Sequence, residues 1–257
     1  MSVYARFPQS LLGYSWLLGA TASFLIGTAG ARDAVSAVTG PKRCFQNQWH
    51  NRTGSVSQEE QFALRDEARQ MFFAGYESYL LHAFPKDELR PISCSGHDSQ
   101  GGMAMTLIDA LDSLLVMNSP TKLREATSWL QDNLTFDVDQ RVHVFEVTIR
   151  VLGGLLSCHI MLERMPSTVP GYDGALLRLA TDLGNRLLPA FDTKSGIPLS
   201  WVHLRKGVMP KESRFTCTAC AGTMLLEFGT LSRLTGNPVY EQKARHAVNR
   251  VFGEPDY

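Results

Sequence analysis

The sequence predicts an all-α chain: an open α/α ring covering about half a toroid, inner and outer helices alternating, with a short β-hairpin insertion. Three observations carry that expectation. Residues 103–117, 144–164 and 219–234 are apolar on nearly every side, as interior helices are. Residues 119–134, 172–188 and 238–252 gather their apolar side chains on one face and their charges on the other, as outer helices do. Strand-like material is confined to 189–216, where Gly196, Pro198, Gly207 and Pro210 separate short β-branched and aromatic pieces and predict the hairpin. In such a toroid the inner helix ends and their loops surround a central pocket, and about seven helices are too few to close the ring.

The elements follow in order. Arg6 precedes SLLGYSWLLGATASFLIGTAGA (10–31), which carries no charge and closes on Ala29-Gly30-Ala31. This predicts a signal peptide over 1–31, or an uncleaved signal anchor, since about 20 apolar residues span a bilayer. Residues 32–56 are polar and irregular and read as a linker, leaving 57–257 as the folded domain. Ser57-Gln58-Glu59-Glu60 is a capping box that opens a helix to about His82. The prolines and glycines of 83–102 predict a long loop, and 103–117 a short buried helix. Ser119-Pro120 supplies a cap and first-turn pair for a helix to about Leu134. The remaining helices are the 144–164, 172–188, 219–234 and 238–252 segments already named, the last two separated by Gly236-Asn237-Pro238.

Composition narrows the function. Of 257 residues, 44% are hydrophobic, enough for a sizeable core, and 25 basic residues balance 25 acidic ones. A neutral chain without a basic stripe excludes nucleic-acid binding driven by phosphate contacts. Two sequons, Asn51-Arg52-Thr53 and Asn133-Leu134-Thr135, agree with entry into the secretory lumen. The five cysteines, 44, 94, 158, 217 and 220, leave one without an internal partner, and Cys94 is a place for a disulfide to another protein. Cys217 and Cys220 have CxxC spacing, but no second pair makes a zinc site and no βαβ context makes a thioredoxin. The favoured reading is small buried residues at a helix start.

Acids recur in the buried helices. Glu146 and Arg150 stand one turn apart in VFEVTIRVLGGLL, otherwise uncharged. A carboxyl raised by burial and lowered by an arginine has the tuning of a glycosidase proton donor, although on spacing alone a structural Glu–Arg pair is the commoner explanation. Asp109 and Asp112 share a face of TLIDALDSL, where internal hydrogen bonding is the favoured explanation. Glu227 lies in TMLLEFGTL with no base nearby in sequence, and Asp87 and Glu88 open DELRP.

Several strings carry a resemblance: MFFAGYESYLLHAFPKDELRPISCSGHD, TLIDALDSLLVM, VFEVTIRVLGGLLSCH, LLPAFDTKSGIP and LLEFGTLSRLTGNP are similar to the glycoside hydrolase family 47 α-mannosidases. DELRP followed by a cysteine most resembles their ER degradation-enhancing branch. The match covers about residues 66–252. It implies an (α/α)7 barrel, of which this would be the N-terminal half, and inverting removal of α-1,2-linked mannose from N-glycans of misfolded glycoproteins in the endoplasmic reticulum. It implies Glu146 as proton donor, Arg150 as a glycan contact and Glu227 as a pocket acid, with Asp87 and Glu88 near the pocket. A calcium ion is implied too, its protein ligand expected beyond residue 257. His203, Cys220 and Cys158 depart from the family's usual asparagine, glycine and alanine, and the tail FGEPDY abandons the pattern. A non-catalytic glycan-binding or interaction fragment is therefore the alternative.

Overall fold

The computed structural model describes residues 56–253. The expected leader and linker, with Cys44 and Asn51, fall outside them.

Helix α1 (Gln58–His82) begins as the capping box requires, the Ser57 hydroxyl accepting the Glu60 amide at 3.1 Å. Its C-terminal half buries Tyr76 and Tyr79. The predicted loop that follows contains a small antiparallel hairpin, β1 (Glu88–Arg90) with β2 (Ser95–His97), paired Glu88 to His97. Three-residue strands leave too short a period to read from sequence.

The expected helix over 103–117 is two: α2 (Met105–Asp109) and α3 (Leu111–Val116), joined at Ala110. Its start is set from outside, because the amides of Met103 and Met105 donate to the Asp87 carboxylate and Ala104 turns left-handed at φ 54°. Helix α4 (Pro120–Asn133) has proline in its first turn as expected, although the Ser119 side chain caps nothing.

Strand β3 (Arg141–His143) runs directly into α5 (Val144–Arg164). This helix is long and apolar enough to cross a membrane by composition, but it lies in the core with α3, α6 (Ala175–Leu187) and α8 (Leu225–Thr235) against it. It is not a uniform α-helix: Val147–Leu152 form a π turn. Inside that turn the Thr148 hydroxyl donates to the Val144 carbonyl at 2.7 Å, occupying an acceptor that the α ladder would give to an amide. Gly154 is where α5 meets α2; a Cβ there would lie 2.9 Å from the Ile108 carbonyl oxygen.

The hairpin expected within 189–216 forms differently. A 3₁₀ turn (Leu188–Phe191) leads to β4 (Trp201–His203), which pairs antiparallel with β3, Val142 opposite Val202, some sixty residues back along the chain. Sequence proximity favoured a partner inside the segment; the buried Val142 and Val202 decided otherwise. The short helix α7 (Thr218–Gly222) and α9 (Val239–Gly253) complete the described elements.

The alternation of layers holds. Among inner helices, α3 lies against α5 and α5 against α8; each also meets its outer neighbour, α4, α6 and α9 respectively. The described helices do not close a barrel. Leu111, Leu114, Val151, Leu155, Leu183 and Phe228 are fully buried where the layers meet, each stabilising the fold by roughly 1.5–3 kcal/mol.

One cysteine expectation is corrected. Cys217 and Cys220 form a disulfide at the start of α7, with Cys217 exposed to solvent. The chain turns there with too little surrounding structure to bury either side chain. Cys94 is free and exposed, and Cys158 free and buried.

Candidate active site

The site is built around the π turn of α5. Its entry is fixed by the strand pair. The His143 amide donates to Gln100 Oε1 at 3.0 Å, its Nδ1 accepts the Glu146 amide at 3.4 Å, and its ring meets the Trp201 ring edge-on at 5.0 Å. Glu146 is thus held by its backbone at the last residue before the π turn, half-buried. Among the described residues its carboxylate takes part in no ion pair and accepts no side-chain hydrogen bond.

Arg150 does not pair with Glu146. Its Nε donates to Asp109 Oδ2 at 2.7 Å, and its Nη1 to Glu88 Oε1 at 3.0 Å. The structural pair that the spacing offered is therefore absent. A π turn is wider than an α turn, so residues four apart no longer stack, while α2 and β1 bring two carboxylates to the guanidinium. Burial pushes the Asp109 carboxyl above its ordinary range, and the hydrogen bond from Arg150 opposes that shift. Asp112 turns instead to Ser157 of α5, whose hydroxyl donates to it at 2.9 Å.

Glu227, in the first turn of α8, reaches the C-terminal side of the same turn. A Cβ on Gly153 would lie 3.6 Å from its Cγ. Its Oε2 is buried with no hydrogen-bond partner, and burial pushes its carboxyl up to about 7. An acid held partly protonated at neutral pH can give or take a proton there.

Asp87 is placed apart from these. It is fully buried, and its carboxylate accepts four main-chain amides: Gln100 and Gly102 at Oδ2 (2.8 and 2.9 Å), Met103 and Met105 at Oδ1 (2.7 and 3.3 Å). With its lone pairs so used, Asp87 staples the 98–105 loop, which carries Gln100 to His143. Of the DELRP acids only Glu88 reaches the cluster.

Sequence reasoning passed over His143, Gln100 and Trp201. None bears a motif: the His143–Gln100 contact needs the 98–105 loop in place, and the Trp201 contact needs β4 paired with β3. His203 is buried on β4; its Nδ1 accepts the Arg205 and Lys206 amides at 3.2 Å each, so the proton sits on Nε2, which donates to Asp139 at 3.0 Å. Among the described residues no group of three or more His, Cys, Asp or Glu is placed to hold a metal ion.

The model of glycosyl hydrolase family 47 matches residues 71–255. The chain is 49% identical over 200 residues to alpha-mannosidase I MNS4 of Arabidopsis thaliana, covering 77% of this chain and 32% of that protein. It is 47% identical over 191 residues to the ER degradation-enhancing alpha-mannosidase-like protein 2 of Mus musculus, 73% of this chain and 33% of the other. Among solved structures it resembles an alpha-1,2-mannosidase from Trichoderma reesei, with a TM-score of 0.68 at 32% identity, covering 76% of this chain and 41% of that one. The chain thus spans about a third of the length of these curated relatives.

Proposed function

The chain belongs to glycosyl hydrolase family 47, and we propose that within its full-length protein it takes part in removing α-1,2-linked mannose from N-glycans of misfolded glycoproteins, by inverting hydrolysis. The observation that carries this reading is the division of labour on α5: Arg150 is engaged by Asp109 and Glu88, while the Glu146 carboxyl one turn earlier stays unpaired. A proton donor must be free to reach the leaving oxygen.

In this reading Glu146 protonates the glycosidic oxygen. Arg150, steadied by its two acids, orients the glycan through guanidinium hydrogens left over from those contacts. Glu227 meets the sugar from the α8 side, and Glu88 shapes the rim. An inverting reaction also needs a carboxylate about 6.5–9.5 Å from the donor to activate water. We assign that base, and the family's calcium ion, to the part of the protein outside this chain. The names of the relatives support a role in endoplasmic-reticulum degradation, and the apolar leader is the reason for assigning the protein to the lumen or the membrane of that compartment. Cys94, exposed at the β1–β2 turn, is offered to a disulfide partner there.

The test is mannose release from an N-glycan ending in α-1,2-mannose, by the full-length protein and its Glu146→Gln variant. Loss of general-acid help should lower the rate by about 10²–10⁴, with glycan binding and melting temperature unchanged. A stably folded Gln variant with near-normal release overturns Glu146 as donor. Unaltered protein that binds the glycan and releases nothing favours the glycan-binding alternative.

A further inference from the structure

We propose that Cys217 and Cys220 form a thiol–disulfide exchange site, open to an incoming thiolate from a small thiol or a protein dithiol. Four observations carry this. The two cysteines are three apart and are joined by a disulfide. Cys217 is exposed and Cys220 only half-buried, so one sulfur can be approached from solvent while the other is partly withdrawn. The Cys220 amide donates to Cys217 Sγ at 2.9 Å, which fixes that sulfur at the N-cap of α7. Phe215, two residues upstream, is 88% exposed and offers an apolar contact beside the entry sulfur.

The disulfide is poorly suited to a structural role. A cross-link across three residues removes little freedom from the unfolded chain, and exposed disulfides are the labile ones. Cys158, buried with its thiol pushed up by burial, shows the contrasting inert case. The pair also sits on α7, which lies against Val144–Glu146 and α9, so exchange would take place beside the start of the acid-bearing helix.

The step balances without any further reagent. A thiolate attacks Cys217 Sγ, a new S–S bond forms, and the Cys217–Cys220 bond breaks with its electron pair leaving on Cys220, which takes a proton from solvent. A second thiol then attacks the partner sulfur of the mixed disulfide. The partner leaves as a disulfide, and the protein keeps both cysteines as thiols: two electrons pass from partner to protein.

Tryptic cleavage after Arg214 and Arg233 isolates both cysteines on one peptide free of the other three. The full-length protein is equilibrated with reduced and oxidised glutathione over about a thousandfold range of ratios, alkylated, and that peptide weighed. The expectation is that disulfide and dithiol forms interchange within the range. A peptide that stays wholly disulfide or wholly thiol throughout overturns the proposal. In the Cys220→Ser variant Cys217 should retain a mixed disulfide, whereas Cys217→Ser should trap far less at Cys220. Trapping of Cys217 in the Cys220→Ser variant by oxidised glutathione alone assigns the exchange to small thiols, and trapping by oxidised protein disulfide isomerase, with or without glutathione, extends it to protein dithiols. Trapping by neither overturns the site.

Discussion

Arg150 donates to Asp109 at 2.7 Å across the α5–α2 contact, rather than to Glu146 on its own helix. That cross-helix bond fixes the guanidinium and releases the acid, and it links the stability of the fold to the chemistry of the site.

Removing the arginine should therefore cost stability. Asp109 and Arg150 are partly exposed, with side-chain exposures of 33% and 29%. The loss lies between those of surface and fully buried pairs, about 1–2 kcal/mol for Arg150→Ala. Denaturant titration of Arg150→Ala, Asp109→Asn and the double variant should give non-additive losses. Strict additivity would show that the bond carries no coupling.

Glu227 should make stability depend on pH. The folded protein holds its proton up to about 7, whereas the unfolded chain releases it near 4.5. Folding thus takes up a proton in that window, and stability falls as the pH rises through it. A shift of this size corresponds to about 3 kcal/mol. Glu227→Gln should flatten the dependence and raise the melting temperature at pH 7. Parallel pH profiles for the two proteins would contradict the buried, unpaired carboxyl.

Asp87→Ala should act on the fold. It strips the acceptor from four amides of the 98–105 loop, with an expected loss of about 3–5 kcal/mol. Any activity should fall in step with the folded fraction measured by circular dichroism. A variant of normal stability and weakened glycan binding would return Asp87 to the glycan contacts.

Asn133 closes α4 in an exposed position, its side-chain amide donating to the Trp129 carbonyl. In cells that pass the chain through the secretory lumen it should carry a glycan. Enzymatic deglycosylation should then increase gel mobility, and Asn133→Gln should shrink that shift. An unchanged shift in the variant would place the modification elsewhere.

Hydropathy in the sequence determined the layers. All-round apolar segments such as 144–156 have nowhere to go but the interior, and one-sided segments such as 172–188 must cover them; burial of apolar surface follows composition and period directly. The acids were likewise visible as charges in apolar surroundings. Their partners were not. Whether Arg150 would meet Glu146 or Asp109 depended on a π turn that no residue type announces and on where α2 and β1 arrive from forty and sixty positions away. Asp87 and Glu88 are neighbours in the chain, yet one staples a loop and the other reaches the cluster, because Asp87 lies in the bend before β1, under the 98–105 amides, whereas Glu88 opens the strand. Composition predicts Cys217 and Cys220 to be buried, whereas Cys217 is exposed and Cys220 only half-buried. Period and composition are local and survive in one dimension; pairing, hydrogen-bond satisfaction and exposure belong to the surroundings, and only the tertiary structure supplies those.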